Sequence, residues 1–255
     1  MKFITGQAAL KIKNNVIISD LHIGVEKELA LKGVNIPLHW TIQKINNLLK
    51  PGEDLIIGGD AKHIIVSPGT RTPTPNQLNL QTLRQLLEKI KCEKITIVKG
   101  NHDTQIEKIE SKKISVVKEL FLRENNKTYA ILHGHAWPSE KALQTDYLII
   151  SHEHPGIKFS GEYGYLWKEK VWVIGKVKRN AERKTTGKQT VIIMPSFSDF
   201  TGMNVFNQPK RGIEANHKLS SLSPVIKHLV NVGDCEAVLL NGLNIGKIKN
   251  LEKNA

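Results

Sequence analysis

The sequence predicts an α/β protein with two sheets, and three observations carry that prediction. Short aliphatic runs alternate with amphipathic stretches through the first half. The second half is richer in such runs than in helical stretches. Five clusters bearing His and Asp sit almost without exception where an aliphatic run ends. Strands that alternate with helices build α/β sheets, and a later excess of strands calls for a second sheet packed on the first.

The elements follow in order. Val16-Ile17-Ile18, Asp54-Leu55-Ile56-Ile57, Ile95-Thr96-Ile97-Val98, Tyr129-Ala130-Ile131-Leu132 and Tyr147-Leu148-Ile149-Ile150 read as strands covered on both faces. Val171-Trp172-Val173-Ile174 and Thr190-Val191-Ile192-Ile193 add two more and form a hairpin around a basic tract, and Glu236-Ala237-Val238-Leu239-Leu240 is a late strand. From His39 to Lys50, Trp40, Ile42, Ile45, Leu48 and Leu49 mark a helix face that Pro51-Gly52 ends. Leu78 to Ile90 repeats the pattern through Leu80, Leu83, Leu86, Leu87 and Ile90, and a third helix is expected from Pro224 to Val230. Ser67 to Pro75 is a loop by its Ser, Thr, Gly and Pro content, either rimming the site to which Asp60 belongs or serving as an inert connector. No internal repeat and no clear linker interrupts residues 1–255, so one domain is expected.

Composition narrows the class. The chain has 255 residues, 40 % of them hydrophobic, enough to bury a large core. No apolar run approaches the roughly 18–20 residues that cross a bilayer, and Met1 to Gly6 lacks the apolar core and small-residue cleavage site of a secretory signal. A soluble, cytoplasmic location without a membrane partner is therefore expected. Cys92 and Cys235 are the only cysteines, and without CxxC spacing they are read as buried structural residues. Thirty-seven Lys and Arg against 24 Asp and Glu leave a net charge of +13, which suits a polyanionic partner such as nucleic acid. The charge concentrates at Lys176, Lys178, Arg179, Arg183, Lys184 and Lys188, though no aromatics interleave that tract.

The clusters carry the chemistry. They are Asp20-Leu21-His22, Gly59-Asp60, Gly100-Asn101-His102-Asp103, His133-Gly134-His135 and His152-Glu153-His154. Between them they offer eight oxygen and nitrogen ligands, enough for two divalent cations about 3.5–4 Å apart that share one carboxylate. Ligands at the C-terminal ends of buried strands are held rigidly at the crevice where α/β sheets bind. Any single DxH or HxH pair is usually a polar strand end; five in order indicate metal-dependent hydrolysis of a phosphoester. Thr186-Gly187-Lys188 lacks the glycine spacing of a phosphate loop. There is no serine elbow and no glycosidase signature.

These residues, from about 16 to 155, resemble the calcineurin-like metallophosphoesterase superfamily, whose pattern is DxH, GD, GNH followed by Asp or Glu, a single His, and GHxH. Within it, the Gly59-Asp60-Ala61-Lys62-His63 and His152-Glu153-His154-Pro155 stretches look similar to a small archaeal group of phosphoesterases, which resemble the nuclease subunits of double-strand-break repair complexes and ligase-associated DNA-damage endonucleases. The resemblance implies a four-layer α/β/β/α sandwich, two mixed sheets packed face to face and flanked by helices. It implies that Asp20, His22 and His154 hold one metal with Asp60. Asp60 then bridges to a second metal completed by Asn101, His133 and His152. His102 would stand beside the ions to stabilise phosphoryl charge or protonate the leaving group, and Asp103 would orient its imidazole. The implied reaction is in-line attack of metal-bound hydroxide on phosphorus. Mn²⁺ is the expected ion, with Fe, Zn, Ni or Mg as substitutes for a donor set without thiolate.

Ser151 replaces the glycine usual in the last motif. His63, three residues past Asp60, is read as a contact behind the ligands in preference to a ninth ligand, and His135 as a lining, substrate-binding or structural residue. His39, His217 and His228 match no motif. The expected activity is that of a phosphodiesterase or nuclease. A phosphomonoesterase or nucleotide hydrolase is the second enzymatic reading. The third is a binding scaffold, because a retromer subunit shares the fold but lacks the catalytic histidine.

Overall fold

The structure, a computed structural model, describes residues 1–37, 39–63, 75–180, 185, 187–208 and 222–251, with the backbone alone for 75–79. The loop expected after Ser67, Arg183 and Lys184 of the basic tract, and His217 lie outside the described residues.

Each aliphatic run forms a strand. In the first sheet, β1 (Lys2–Phe3), β2 (Leu10–Ile12), β3 (Asn15–Ile18), β4 (Asp54–Ile57), β5 (Ile95–Val98) and β6 (Ile114–Val117) lie in sequence order. The pairs β1–β2 and β2–β3 are antiparallel, whereas β3 to β6 run parallel, with Ile17 opposite Ile56 and Ile57 opposite Ile97. The second sheet is built from β7 (Leu120–Glu124), β8 (Lys127–Leu132), β9 (Tyr147–Ile150), β10 (Pro155–Ser160), β11 (Leu166–Lys176), β12 (Thr190–Ile193) and β13 (Asn204–Val205). Its order is β13-β10-β11-β12-β9-β8-β7, with β14 (Glu236–Leu239) pairing β11 and β15 (Asn244–Lys247) pairing β14. Here β8, β9 and β12 run parallel, and β11 and β12 form the expected antiparallel hairpin.

Side-chain alternation along these strands separates the core into layers. Ile17, Ile56 and Val98 of the first sheet meet Ile131, Ile149, Trp172 and Ile192 of the second between the sheets. The opposite face of the first sheet, through Val16, Ile18, Leu55, Ile57 and Ile97, packs under α2 (His39–Leu48) and α3 (Pro75–Glu88). The outer face of the second packs under α4 (Glu140–Leu143), α5 (Pro224–Leu229) and α6 (Ile248–Leu251). The result is the four-layer α/β/β/α sandwich that the resemblance implied. The helices end slightly before their expected limits at Lys50, Ile90 and Val230. Trp40, counted with the apolar face of α2, is 56 % exposed in the first turn, and Ile42 and Ile45 make the buried contact instead. Cys92 and Cys235 are both unpaired, the first half-buried and the second buried. No helix among the described residues is long and apolar enough to cross a membrane.

Candidate metal centre

The parallel strands of both sheets end at one place. From β3 come Asp20 and His22, from β4 Asp60, and from β5 Asn101, His102 and Asp103; β8 leads to His133 and β9 to His152 and His154. The turns that follow these strands are unusual. Asp20, His22, Asp60, His152 and His154 all have left-handed backbone, with φ of 53°, 46°, 48°, 75° and 44°. For non-glycine residues this costs on the order of 1 kcal/mol or more each and survives only where surroundings impose it. Here the ladder beyond β3 and β4 imposes part of it: Asp20 N–H donates to Gly59 at 3.0 Å, and His22 N–H donates to the Asp60 carbonyl at 2.9 Å.

Two glycines make the approach possible. Gly59 has φ of 107°, and a Cβ there would run into the His133 ring. A Cβ on Gly100 would collide with the carboxylate and backbone nitrogen of Asp60. The glycines of the GD and GNH motifs are thus where the sheets press one ligand against another.

Two groups of donors result. Asp20, His22 and His154 form one and Asp60, His133 and His152 the other; within each, the donor atoms lie within 4.8 Å of one another. His154 Nε2 is 3.3 Å from Asp20 Oδ1 and 3.3 Å from His22 Nε2. His133 Nε2 is 3.2 Å from Asp60 Oδ2, 3.0 Å from Asn101 Oδ1 and 3.1 Å from His152 Nδ1. Asp60 also reaches the first group, its Oδ2 lying 3.7 Å from His22 Nε2. All seven sequence-predicted ligands are therefore brought together.

The back sides of three of the four ligand imidazoles, those of His133, His154 and His22, are tied down. His133 Nδ1 lies 3.0 Å from Ser151 Oγ and 3.3 Å from the Gly58 carbonyl, and His154 Nδ1 lies 3.1 Å from the Gly202 carbonyl. His22 Nδ1 faces His63 Nδ1 at 3.3 Å, and His63 Nε2 faces Glu28 Oε2 at 3.3 Å. Such partners fix ring orientation and leave the other nitrogen for the ion. His63 also lies within reach of His22 and His102 as a third group of possible donors. The serine that replaces the usual glycine is used, since Ser151 Oγ donates to the Gly58 carbonyl at 2.6 Å, beside the His133 ring.

The electrostatics suit cations. Asp20 is fully buried, and neither of its oxygens accepts a hydrogen bond. Burial opposes its ionisation, but the imidazoles of His154 and His133 outweigh burial and hold the carboxyl below its usual range. Asp60 is likewise driven up by burial and more strongly down by His133 and His22, so it remains ionised. Burial pushes His22 and His152 down to about 4, leaving neutral donor rings. Burial also works against a charge on His133, yet Asp60 and Asp20 raise it to about 8. The buried Asp20 carboxylate, without hydrogen-bond donors, lies with the ionised Asp60 beside the neutral rings of His22 and His152, and together they form a cradle that two divalent ions would complete.

His102 stands at the edge of this cradle, half-buried, with Nε2 3.9 Å from Asp60 Oδ2. Its backbone N–H donates to Asp60 Oδ1 at 2.9 Å. The expected Asp103–imidazole contact is not formed, and the reason is local. The Asp103 carboxylate turns back to accept from Gly100 N–H at 2.8 Å and Lys62 N–H at 3.2 Å, while His102 Nδ1 has no partner. Burial raises Asp103 to about 6. Asp103 therefore braces the GNH turn rather than the ring. Lys62, fully buried, donates from Nζ to the His102 carbonyl and holds the same turn from the other side.

Sequence reasoning missed Lys62, Glu153 and the segment after β12. Glu153 is buried between two ligands and accepts from Ser223 N–H at 2.7 Å and from Asn204 Nδ2 at 3.3 Å. After β12, Ser196 Oγ donates to the Asp20 carbonyl at 3.0 Å and Phe197 N–H to the Ser19 carbonyl at 2.9 Å. A charged residue wedged inside a ligand motif was the available signal for Lys62 and Glu153; backbone bracing left none. His135 is exposed, its ring 5.2 Å from that of His133, and belongs to neither group. His39 and His228 are exposed and also outside both groups.

The calcineurin-like phosphoesterase family matches residues 15–183, well over half of the chain and all seven candidate ligands. Solved structures that resemble the chain include nuclease MPE of Pseudomonas putida, 19 % identical, with 90 % of this chain and 86 % of that one covered and a TM-score of 0.49. An archaeal phosphodiesterase is 13 % identical over 71 % of this chain and 83 % of its own, with a TM-score of 0.36. Vps29 of Chaetomium thermophilum is 15 % identical over 78 % and 73 %, with a TM-score of 0.35. No curated protein matches the chain. Given the family match and the donor groups it spans, the chain belongs to the calcineurin-like phosphoesterases and is a metal-dependent phosphoester hydrolase.

Proposed function

We propose that the protein is a dinuclear phosphodiesterase that acts on nucleic acid. The observation that carries this reading is the convergence of the two donor groups around Asp60, with the Asp20 carboxylate left without hydrogen-bond donors. Asp20, His22 and His154 would hold one ion, and Asn101, His133 and His152 the other, with Asp60 between them. An all-nitrogen-and-oxygen set suits Mn²⁺. Bound there, the ions would supply Lewis acidity and lower the pKa of a coordinated water.

The chain's own residues do the rest. His102 is half-exposed beside Asp60, so its ring can donate to a phosphoryl or leaving oxygen. Its backbone N–H fixes the Asp60 oxygen turned away from the donors. Asp103 and Lys62 hold the turn that presents His102. The net charge of +13 supports a polyanionic substrate. Part of the basic hairpin is engaged internally, since Lys176 Nζ donates to the Lys188 carbonyl and to Thr190 Oγ1.

The test uses Mn²⁺-loaded protein with a chromogenic diester, a chromogenic monoester, and single- and double-stranded DNA. Wild-type protein should cleave the diester and DNA. His102→Ala should keep its metal and lose about 10²–10⁴-fold in turnover, whereas Asp60→Ala should lose the metal as well. Undiminished hydrolysis by His102→Ala removes the role given to that ring. Cleavage of the monoester alone makes the protein a monoesterase, and inertness of the metal-loaded wild type toward all four makes it a binding scaffold.

A further inference from the structure

A cavity of about 740 Å³ opens directly beside the donor groups, and the ligand set does not account for it. It shares Gly100 and His133 with the centre and continues along the segment that joins β8 to α4. Its size falls within the roughly 300–1,000 Å³ typical of sites that enclose a small organic ligand.

The lining combines two kinds of group. Phe121 and Trp137 provide aromatic surface, and both are half-buried against the outer core of the second sheet. Packing of that kind fixes the rings before any ligand arrives. Lys99, Lys118 and His135 provide the polar part. Lys99 is already paired with Glu107, but Lys118 has no acidic partner among the described residues. The only acid in the lining is Glu119, whose oxygens accept from the N–H and hydroxyl of Ser139 at 2.8 and 2.6 Å. The lining therefore combines the Trp137 ring, and a Phe121 ring already capped on one face by Lys141 Nζ at 4.1 Å, with an ammonium that no carboxylate matches, while its own carboxylate is turned to the protein's use.

Aromatic rings recognise a nucleobase through its face, and an unpaired ammonium recognises a phosphate. A simple phosphomonoester would leave this space empty. We propose that the cavity receives the nucleotide unit next to the scissile phosphate, its base against Trp137 and its outer phosphate against Lys118. His135, which the ligand set does not require, then lies where that nucleotide enters. This proposal rests on the nucleic-acid reading above and names where that substrate's specificity is set.

The test separates the two. Binding of a nucleoside 5′-monophosphate and of inorganic phosphate is measured by calorimetry on the full-length Mn²⁺-loaded protein, with wild-type diester hydrolysis followed in parallel. Wild-type protein should prefer the nucleotide over phosphate at least tenfold. Trp137→Ala should cut that ratio at least tenfold, and Trp137→Phe should restore most of it. Lys118→Ala should weaken binding of a dinucleotide with a terminal phosphate at least threefold and flatten its salt dependence. An unchanged ratio in Trp137→Ala that retains the native circular dichroism overturns the pocket. So does a wild type that binds nucleotide and phosphate alike. If Trp137→Ala fails to fold, an unchanged dinucleotide affinity in Lys118→Ala overturns it instead. Nucleotide preference lost with Trp137, in a protein that hydrolyses no diester, keeps the pocket and overturns only the catalytic reading.

Discussion

At Gly100 a single methyl group separates a working centre from a blocked one. Its Cα lies so close to Asp60 that any Cβ would occupy the space of the carboxylate and the backbone nitrogen. Neither atom belongs to a flexible side-chain end. Asp60 is held by its own left-handed backbone and by the His102 N–H, so the clash cannot be relieved by a rotamer change. Gly100→Ala should therefore destabilise the protein by about 1–3 kcal/mol, the usual cost of overpacking a tight interior. It should also cut Mn²⁺ affinity more than a cavity-forming change of equal cost, such as Ile97→Val. Denaturant melts with calorimetric metal titration check both parts, and equal metal affinities in the two variants would contradict the argument. The same residue scale shows where the motif misleads. Sequence adjacency pairs Asp103 with His102, but the turn carries their side chains apart. The carboxylate then satisfies two buried N–H groups that have no other acceptor.

Strand by strand, the elements that place ligands were legible and the elements that brace them were not. β3, β4, β5, β8 and β9 are buried on both faces over their last three or four residues and so carry mostly aliphatic runs without polar alternation, Thr96 being the one polar residue inside them. β6 and β7 are half-exposed along most of their length and mix Ser, Arg and Glu with apolar residues, so no such run announces them. The short α1 (Val25–Leu31) lacks a side-chain cap, and the turn after β12 acts mainly through backbone groups. Glu153 belongs to this bracing class. It ties the turn between His152 and His154 to Ser223, the N-cap of α5. Removing it frees a buried N–H and loosens both ligands. Glu153→Ala should cost about 1–3 kcal/mol of stability and lower metal affinity about 10–100-fold, the range seen when a supporting partner of a metal ligand is lost. Thermal melts and metal titration measure the two effects. A loss of stability with metal affinity unchanged would show that Glu153 anchors α5 without holding the ligands.

Across the whole molecule, each sheet supplies about half of the candidate donors, so ions bound there would act as a clamp between the layers as well as a catalytic device. Because ligands from both sheets must be assembled at once, metal binding should be folding energy. At a concentration one hundred times its Kd, the metal should add about 2.7 kcal/mol per site, and a chelator should remove it. The pH dependence of that gain has a definite sign. In the metal-free protein His133 stands at about 8, above its ordinary 6.5, because Asp60 and Asp20 outweigh its burial. Its protonated form therefore stabilises the bare fold fully below pH 6.5, and that contribution is lost as pH rises through 8. The shift corresponds to about 2 kcal/mol. His154 is shifted in the same direction by Asp20 against its burial, while His22 and His152, held near 4, are already neutral in this window. A metal must displace the His133 proton, so its affinity rises over the same interval. The bare protein should thus melt progressively lower between pH 6.5 and 8.5, while the increase in Tm produced by Mn²⁺ grows. A metal-induced shift that shrinks with rising pH would mean that His133 is not a ligand, and that the second sheet joins the clamp through His152 and His154 only.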